Sequence, residues 1–165
     1  MPQKTLSDLF LDTLKDIYYA ERQILRALPK MARGAQSKEL RAAFESHRDQ
    51  TEEQVARLQQ VFEILGRPAR GKNCPAIDGI IEEGEEILES YKGSPAIDAG
   101  LIAAAQAVEH YEIARYGTLC NWADLLGMDD ARQLLEQTLR EEEKTDQNLT
   151  AIAEASVNPS ALNAA

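Results

Sequence analysis

Apolar side chains recur at spacings of three and four along four long stretches of this chain, and each stretch interrupts its own stripe with polar residues near its middle. The first stripe runs Leu6, Phe10, Thr13, Ile17, Glu21, Ile24, Leu28 and Met31. The second runs Leu40, Phe44, His47, Thr51, Gln54, Leu58, Phe62 and Leu65. Ile102, Ala105, Glu109, Glu112, Tyr116 and Leu119 form the third, and Leu135, Leu139, Glu142, Asp146, Leu149 and Ile152 the fourth. The spacing predicts four amphipathic helices whose buried faces carry Glu21, His47, Glu109, Glu112, Glu142 and Asp146. A carboxylate inside an apolar interior is unfavourable unless a cation neutralises it, so these six are candidate metal ligands.

Scattered polar residues meet only if they share a level in the bundle. Glu21 precedes the turn near Gly34 by about a dozen residues and His47 follows it by roughly ten; at about 1.5 Å per residue both sit about 15 to 18 Å from that end. Glu112 and Glu142 flank the turn at Gly127 at similar distances, near the middle of helices roughly 40 Å long. All four stripes therefore place their polar residues at mid-bundle.

Punctuation residues set the organisation: helix, short turn, helix, long connection, helix, short turn, helix. The first helix spans about 6–32 and stops at Gly34; Ser37 caps the second, which runs to about Leu65 before Gly66 and Pro68. Ser94 is expected to cap the third helix with Pro95 at its first position, and Gly127 to end it after Leu126. Asp129 is expected to cap the fourth, which reaches about Ala155. The connection over 67–94 is too long for a hairpin turn and carries its own helical pattern of Ile77, Ile80, Ile81, Ile87 and Leu88 among glutamates. The fold class is all-α: a ferritin-like four-helix bundle with a long crossover between its second and third helices that carries a short fifth helix. One domain covers 1–165, with 1–5 and 156–165 expected as frayed termini. Gly117, inside the third helix, is expected to mark a close helix approach.

Composition narrows the partners. A chain of 165 residues with 44% hydrophobic and 5% aromatic content suits one compact helical domain. A net charge of -10 argues against nucleic acid and against an anionic membrane, both of which need a positive surface. Cys74 and Cys120 have no metal-type spacing, and no signal-peptide pattern or 18-residue apolar run is present, which points to a reducing cytoplasm.

The runs Leu9 to Glu21 (LFLDTLKDIYYAE), Val108 to Leu119 (VEHYEIARYGTL) and Leu134 to Asp146 (LLEQTLREEEKTD) resemble the ferritin-like family of bacterial stress-associated YciE and YciF proteins over most of the chain. The resemblance implies a bacterial cytoplasmic bundle, a homodimer, and a rubrerythrin-like metal site without a defined activity.

The residues depart from the usual ferritin-like set, which takes one Glu from each of two helices and a Glu-x-x-His pair from each of the others. Glu21 and either Glu109 or Glu112 match the single carboxylates. In the fourth helix Glu142 is followed by Thr145 at the third position and Asp146 at the fourth, and the second helix offers His47-x-x-Gln50. Such a set is rich in oxygen with one imidazole, and suits iron first, with manganese as the alternative. His110 lies about 100° round the helix from Glu109, off the stripe. Tyr18, Tyr19, Tyr111 and Tyr116 read mainly as packing residues whose hydroxyls can orient a ligand, and the Glu141 to Glu143 run as in part a solvated face, with only Glu142 on the stripe.

Three functions are compatible with two metal ions between the helices. The first is redox handling of oxygen or peroxide at ions about 3.5 to 4 Å apart, with an unidentified electron donor. The second is a stress or interaction protein whose metal staples the bundle. The third, an iron-storage cage, needs a hollow multimer, whereas one self-complementary patch is enough for the expected dimer.

Overall fold

The computed structural model describes residues 3–164. Its helices are α1 (Leu6–Gly34), α2 (Lys38–Ile64), α3 (Pro75–Ser90), α4 (Ile97–Leu125) and α5 (Asp129–Ile152), followed by a π-helical turn (Ala153–Val157) and a short α6 (Asn158–Asn163). The four long helices are thus α1, α2, α4 and α5, and α3 is the expected crossover helix. Neighbouring pairs are α1 with α2, α2 with α5, α5 with α4, and α4 with α1, so the helices stand at the corners of a square. α2 and α4 occupy opposite corners, which no short turn can join. The crossover therefore spans the bundle, and α3 packs over α1 and α4.

Local chemistry explains most of the boundaries. Thr5 caps α1 reciprocally with Asp8: the Asp8 amide donates to Thr5 Oγ1 (3.3 Å) and the Thr5 amide to Asp8 Oδ2 (2.8 Å). Ser37 caps α2, accepting from the Leu40 amide at 3.3 Å. Asp98 on α4 accepts the Gln36 and Ser37 amides at 2.8 and 2.7 Å, tying the α1–α2 turn to the third corner. Gly127 ends α4 at φ 68°, and the Met128 amide returns to the Ala123 carbonyl at 2.9 Å, a closure that a Cβ-bearing residue adopts with strain.

Several expectations are corrected. Ser94 and Pro95 form a turn ahead of α4: Ser94 Oγ accepts from the Ala96 amide (3.1 Å), and the helix starts only at Ile97. Asp129 is the first residue of α5 and makes no cap hydrogen bond. Ser156 and the residues to Asn163, expected to fray, stay helical: the π turn contacts α4 and buries Val157, while α6 packs on the π turn and buries no side chain of its own. Residues 1, 2 and 165 lie outside the described residues. Gly117 marks no close approach: a Cβ there meets nothing within 4 Å. That role falls to Gly34 and Gly100 beneath α3, where an added Cβ would lie 2.3 Å from Leu88 Cδ2 and 2.7 Å from Ile87 Cγ2.

Phe10, Leu14, Ile17, Phe44, Leu58 and Phe62 lie in the core with Leu101, Leu119 and Leu135 from the second helical pair. Among the described residues no helix is long and apolar enough to cross a membrane.

Candidate metal centre

Between these apolar layers the four helices bring their polar residues together. Glu21 comes from α1, His47 from α2, Glu109 and Glu112 from α4, and Glu142 from α5. The four glutamates are fully buried and His47 is 5% exposed. Ligand-capable atoms of His47, Glu109, Glu112 and Glu142 lie within 4.8 Å of one another. His47 Nδ1 is 3.1 Å from Glu109 Oε1 and Nε2 is 3.6 Å from Glu142 Oε2. Glu21 faces Glu112 on one side and accepts the Tyr116 hydroxyl on the other, at 2.5 Å to Oε1.

Among the described residues no Lys or Arg forms an ion pair with these four glutamates. One oxygen of Glu21, both oxygens of Glu109, Glu112 and Glu142, and His47 Nε2 have no hydrogen-bond partner among the described residues. Buried polar atoms are nearly always satisfied, so this concentration of unpartnered atoms marks the cluster as a candidate metal site. Burial, reinforced by the Glu142 charge, pushes the Glu21 carboxyl up to about 8. The same two causes, with the neighbouring carboxylates, hold Glu109 and Glu112 well above the usual range. Burial lowers the His47 pKa despite the Glu142 charge, which keeps the imidazole neutral and a lone pair free. Tyr116, wholly buried beside Glu21, is held well above its ordinary pKa and stays a donor.

Asp146 is not brought into the cluster. Its carboxylate sits at the α4–α5 edge, accepting from Gln106 Nε2 at 3.2 Å, with His110 Nε2 3.2 Å away. His110 itself is exposed, with 69% of its side chain open to solvent. Tyr19 and Tyr111 act elsewhere, on Asp78 and on Asp16 with Cys74.

One element escaped the sequence reading. Arg57, 7% exposed, donates to Thr138 Oγ1 (2.6 Å) and through both Nη atoms to Glu141 (3.0 Å each), while Gln54 Nε2 donates to Glu141 Oε2 at 3.1 Å. Glu141 is therefore a buried-edge anchor rather than part of a solvated face. The signal was available, since Arg57 stands three residues after Gln54 on the buried stripe of α2.

A profile for the domain of unknown function DUF892 matches residues 5–162. The chain belongs to this family. It is similar to protein YciF of Escherichia coli strain K12, at 45% identity over 166 residues and 100% of both chains. The crystal structure of the E. coli stress protein YciF matches at TM-score 0.90 and 45% identity, covering 94% of this chain and 99% of that one. YcfI of Rhodopseudomonas palustris, provisionally described as a structural protein, matches at TM-score 0.86 and 48% identity over 89% and 94% of the two chains. The family assignment agrees with the resemblance carried by the three helical runs.

Proposed function

We propose that this DUF892-family protein binds two divalent transition-metal ions at mid-bundle, iron in preference to manganese, and handles oxygen or peroxide there as part of a bacterial stress response. The set of buried, unpartnered carboxylate oxygens carries the reading. Four glutamates supply the charge that two divalent ions neutralise, and an oxygen-rich set with one imidazole suits iron and manganese. Bound, such ions supply one-electron redox chemistry and Lewis acidity.

The chain's own residues prepare the site. Tyr116 fixes the rotamer of Glu21 by donating to one of its oxygens, which leaves the other free. Neutral His47 offers one ring nitrogen as a ligand while the other can donate to a carboxylate. The apolar layers exclude bulk water and strengthen every charge interaction within.

Elemental analysis of protein produced in iron- and manganese-supplemented medium tests the reading: two ions per chain are expected, and none in two independent preparations would sink it. Consumption of oxygen or peroxide by the loaded protein separates an enzyme from the second reading, a metal-stapled structural protein, which the description of YcfI favours. A homodimer of about 37 kDa, twice the 18.3 kDa chain, is the proposed assembly, and a particle of a dozen or more subunits by light scattering would restore the storage cage.

A further inference from the structure

The crossover helix α3 is fastened at both ends and leaves a void under its middle. Near its start Tyr19 Oη donates to Asp78 Oδ1 (2.9 Å), and Cys74 Sγ lies 3.0 Å from Tyr111 Oη. Near its end Ile87 and Leu88 close on Gly100 and Gly34. Between these anchors small residues meet: Gly84 of α3, Ala104 and Ala105 of α4, and Ala27 of α1. A Cβ on Gly84 would lie 3.5 Å from Ala104 Cβ, an ordinary van der Waals contact, so the space between the helices here is no deeper than a methyl group. The space left gives the centre of a water-sized molecule about 30 Å³ in which to move.

The two ends of this cavity differ. Outside, the Lys30–Glu85 ion pair bridges α1 and α3 at 2.7 Å, with both side chains about half exposed. Inside, the lining ends on His47 and Glu109, whose Nε2 and carboxylate oxygens are buried and have no hydrogen-bond partner among the described residues. The walls between are apolar.

We propose that this cavity is the entry and holding site for dioxygen beside the metal centre, an inference that rests on the metal-centre reading above. Between its polar ends the apolar walls offer water no hydrogen-bond partner and suit a small apolar molecule. Dioxygen loses no hydrogen bonds on entering it. Peroxide, with two O–H donors, would lose its solvation there. A polar molecule has another approach, the open groove of about 740 Å³ between α2 and α5, which also reaches His47 and is lined by Gln50, Gln137, Arg140, Lys144 and Thr145.

Xenon tests the cavity in the full-length protein whether or not metal is bound. Crystals under xenon pressure are expected to show xenon between Ile81 and Ala105; its absence, or ordered water in its place, overturns the proposal. Ala104→Leu fills the void, and with iron loaded it should slow oxygen consumption at least tenfold while iron content and peroxide consumption stay unchanged. An unchanged oxygen rate, or no oxygen consumption by the parent protein, also overturns it. Should Ala104→Leu fail to fold, Ala27→Ile fills the same space from α1 and is read in the same way. Loss of the metal-centre reading is distinguishable, since it appears as absent iron in the parent protein while xenon still reports on the cavity.

Discussion

Two adjacent glutamates of α5 meet opposite fates. Glu141 receives the forked guanidinium of Arg57, with Gln54 completing its partners, and Arg57 is satisfied in turn by Thr138. Glu142, one residue on, turns to the bundle centre, where among the described residues both its oxygens are unpartnered. α2 and α5 thus share one polar cluster with its cation built into the chain, and both also contribute to the four-helix cluster that has none among the described residues. On the proposed reading, the cluster whose carboxylates have no cation in the chain is the one that takes its cation from outside.

That contrast predicts which cluster responds to metal. Because ions bind the folded arrangement only, iron or manganese at a thousandfold excess over Kd should stabilise the protein by about 4 kcal/mol. In a chain of this length that is roughly 8 to 16 °C in Tm. Equal melting in chelator and in saturating metal, measured by calorimetry, would remove the distinction between the clusters. Arg57→Ala should act the other way: it removes the donor to Thr138 and the counter-charge of a mostly buried Glu141, which keeps only Gln54, and destabilises by about 2 kcal/mol in chemical denaturation. Metal stoichiometry should not move in this variant.

Substitution inside the central cluster sharpens the comparison by reversing the sign. Glu112→Gln removes a ligand and one member of a repelling set. The variant should lose at least one metal ion, and without metal it should be more stable than the parent by about 1 to 2 kcal/mol at pH 8. The exposed control Glu52→Gln should change neither quantity. Full metal content in Glu112→Gln would mean that α4 presents the wrong carboxylate.

The central cluster was legible because burial forces a helix to declare its inner face. Glu21, His47, Glu109 and Glu112 stand at three- and four-residue spacings from buried apolar residues, and Glu142 lies two turns from both Leu135 and Leu149. Asp146 misleads for the same reason. It sits four residues after Glu142, but the buried line of α5 runs through Leu135, Thr138, Glu142 and Leu149, which rotates Asp146 and Leu139 toward the rim. A stripe gives an angle around one helix, whereas the reach of Gln106 and His110 from α4 depends on the neighbour. Gly117 failed on similar grounds: a small residue permits close approach without requiring it, and Gly34 and Gly100 are crowded only because α3 crosses them. The π turn at Ala153 has no periodic signature, so the packing of the tail was hidden.

The smallest effect is a pH dependence that only the cationless cluster should show. In metal-free protein Glu21 binds its proton with a pKa of about 8, above the ordinary carboxyl value, so the folded state holds a proton that the unfolded chain has released. Stability from this group is therefore complete below the unfolded pKa and is lost as pH rises through 8. Glu109 and Glu112 act in the same direction. His47 opposes them only below its unfolded value of 6.5, where the unfolded chain takes up a proton that the buried imidazole refuses. The clean window is thus pH 6.5 to 8, across which Glu21 alone should lower the stability of the metal-free protein by about 1.5 kcal/mol. Saturating metal should flatten or reverse the slope, because ions compete with protons for the same oxygens. Denaturation midpoints of metal-free protein that stay level or rise from pH 6.5 to 8 would show that the central carboxylates find their charge balance within the chain, as Glu141 does.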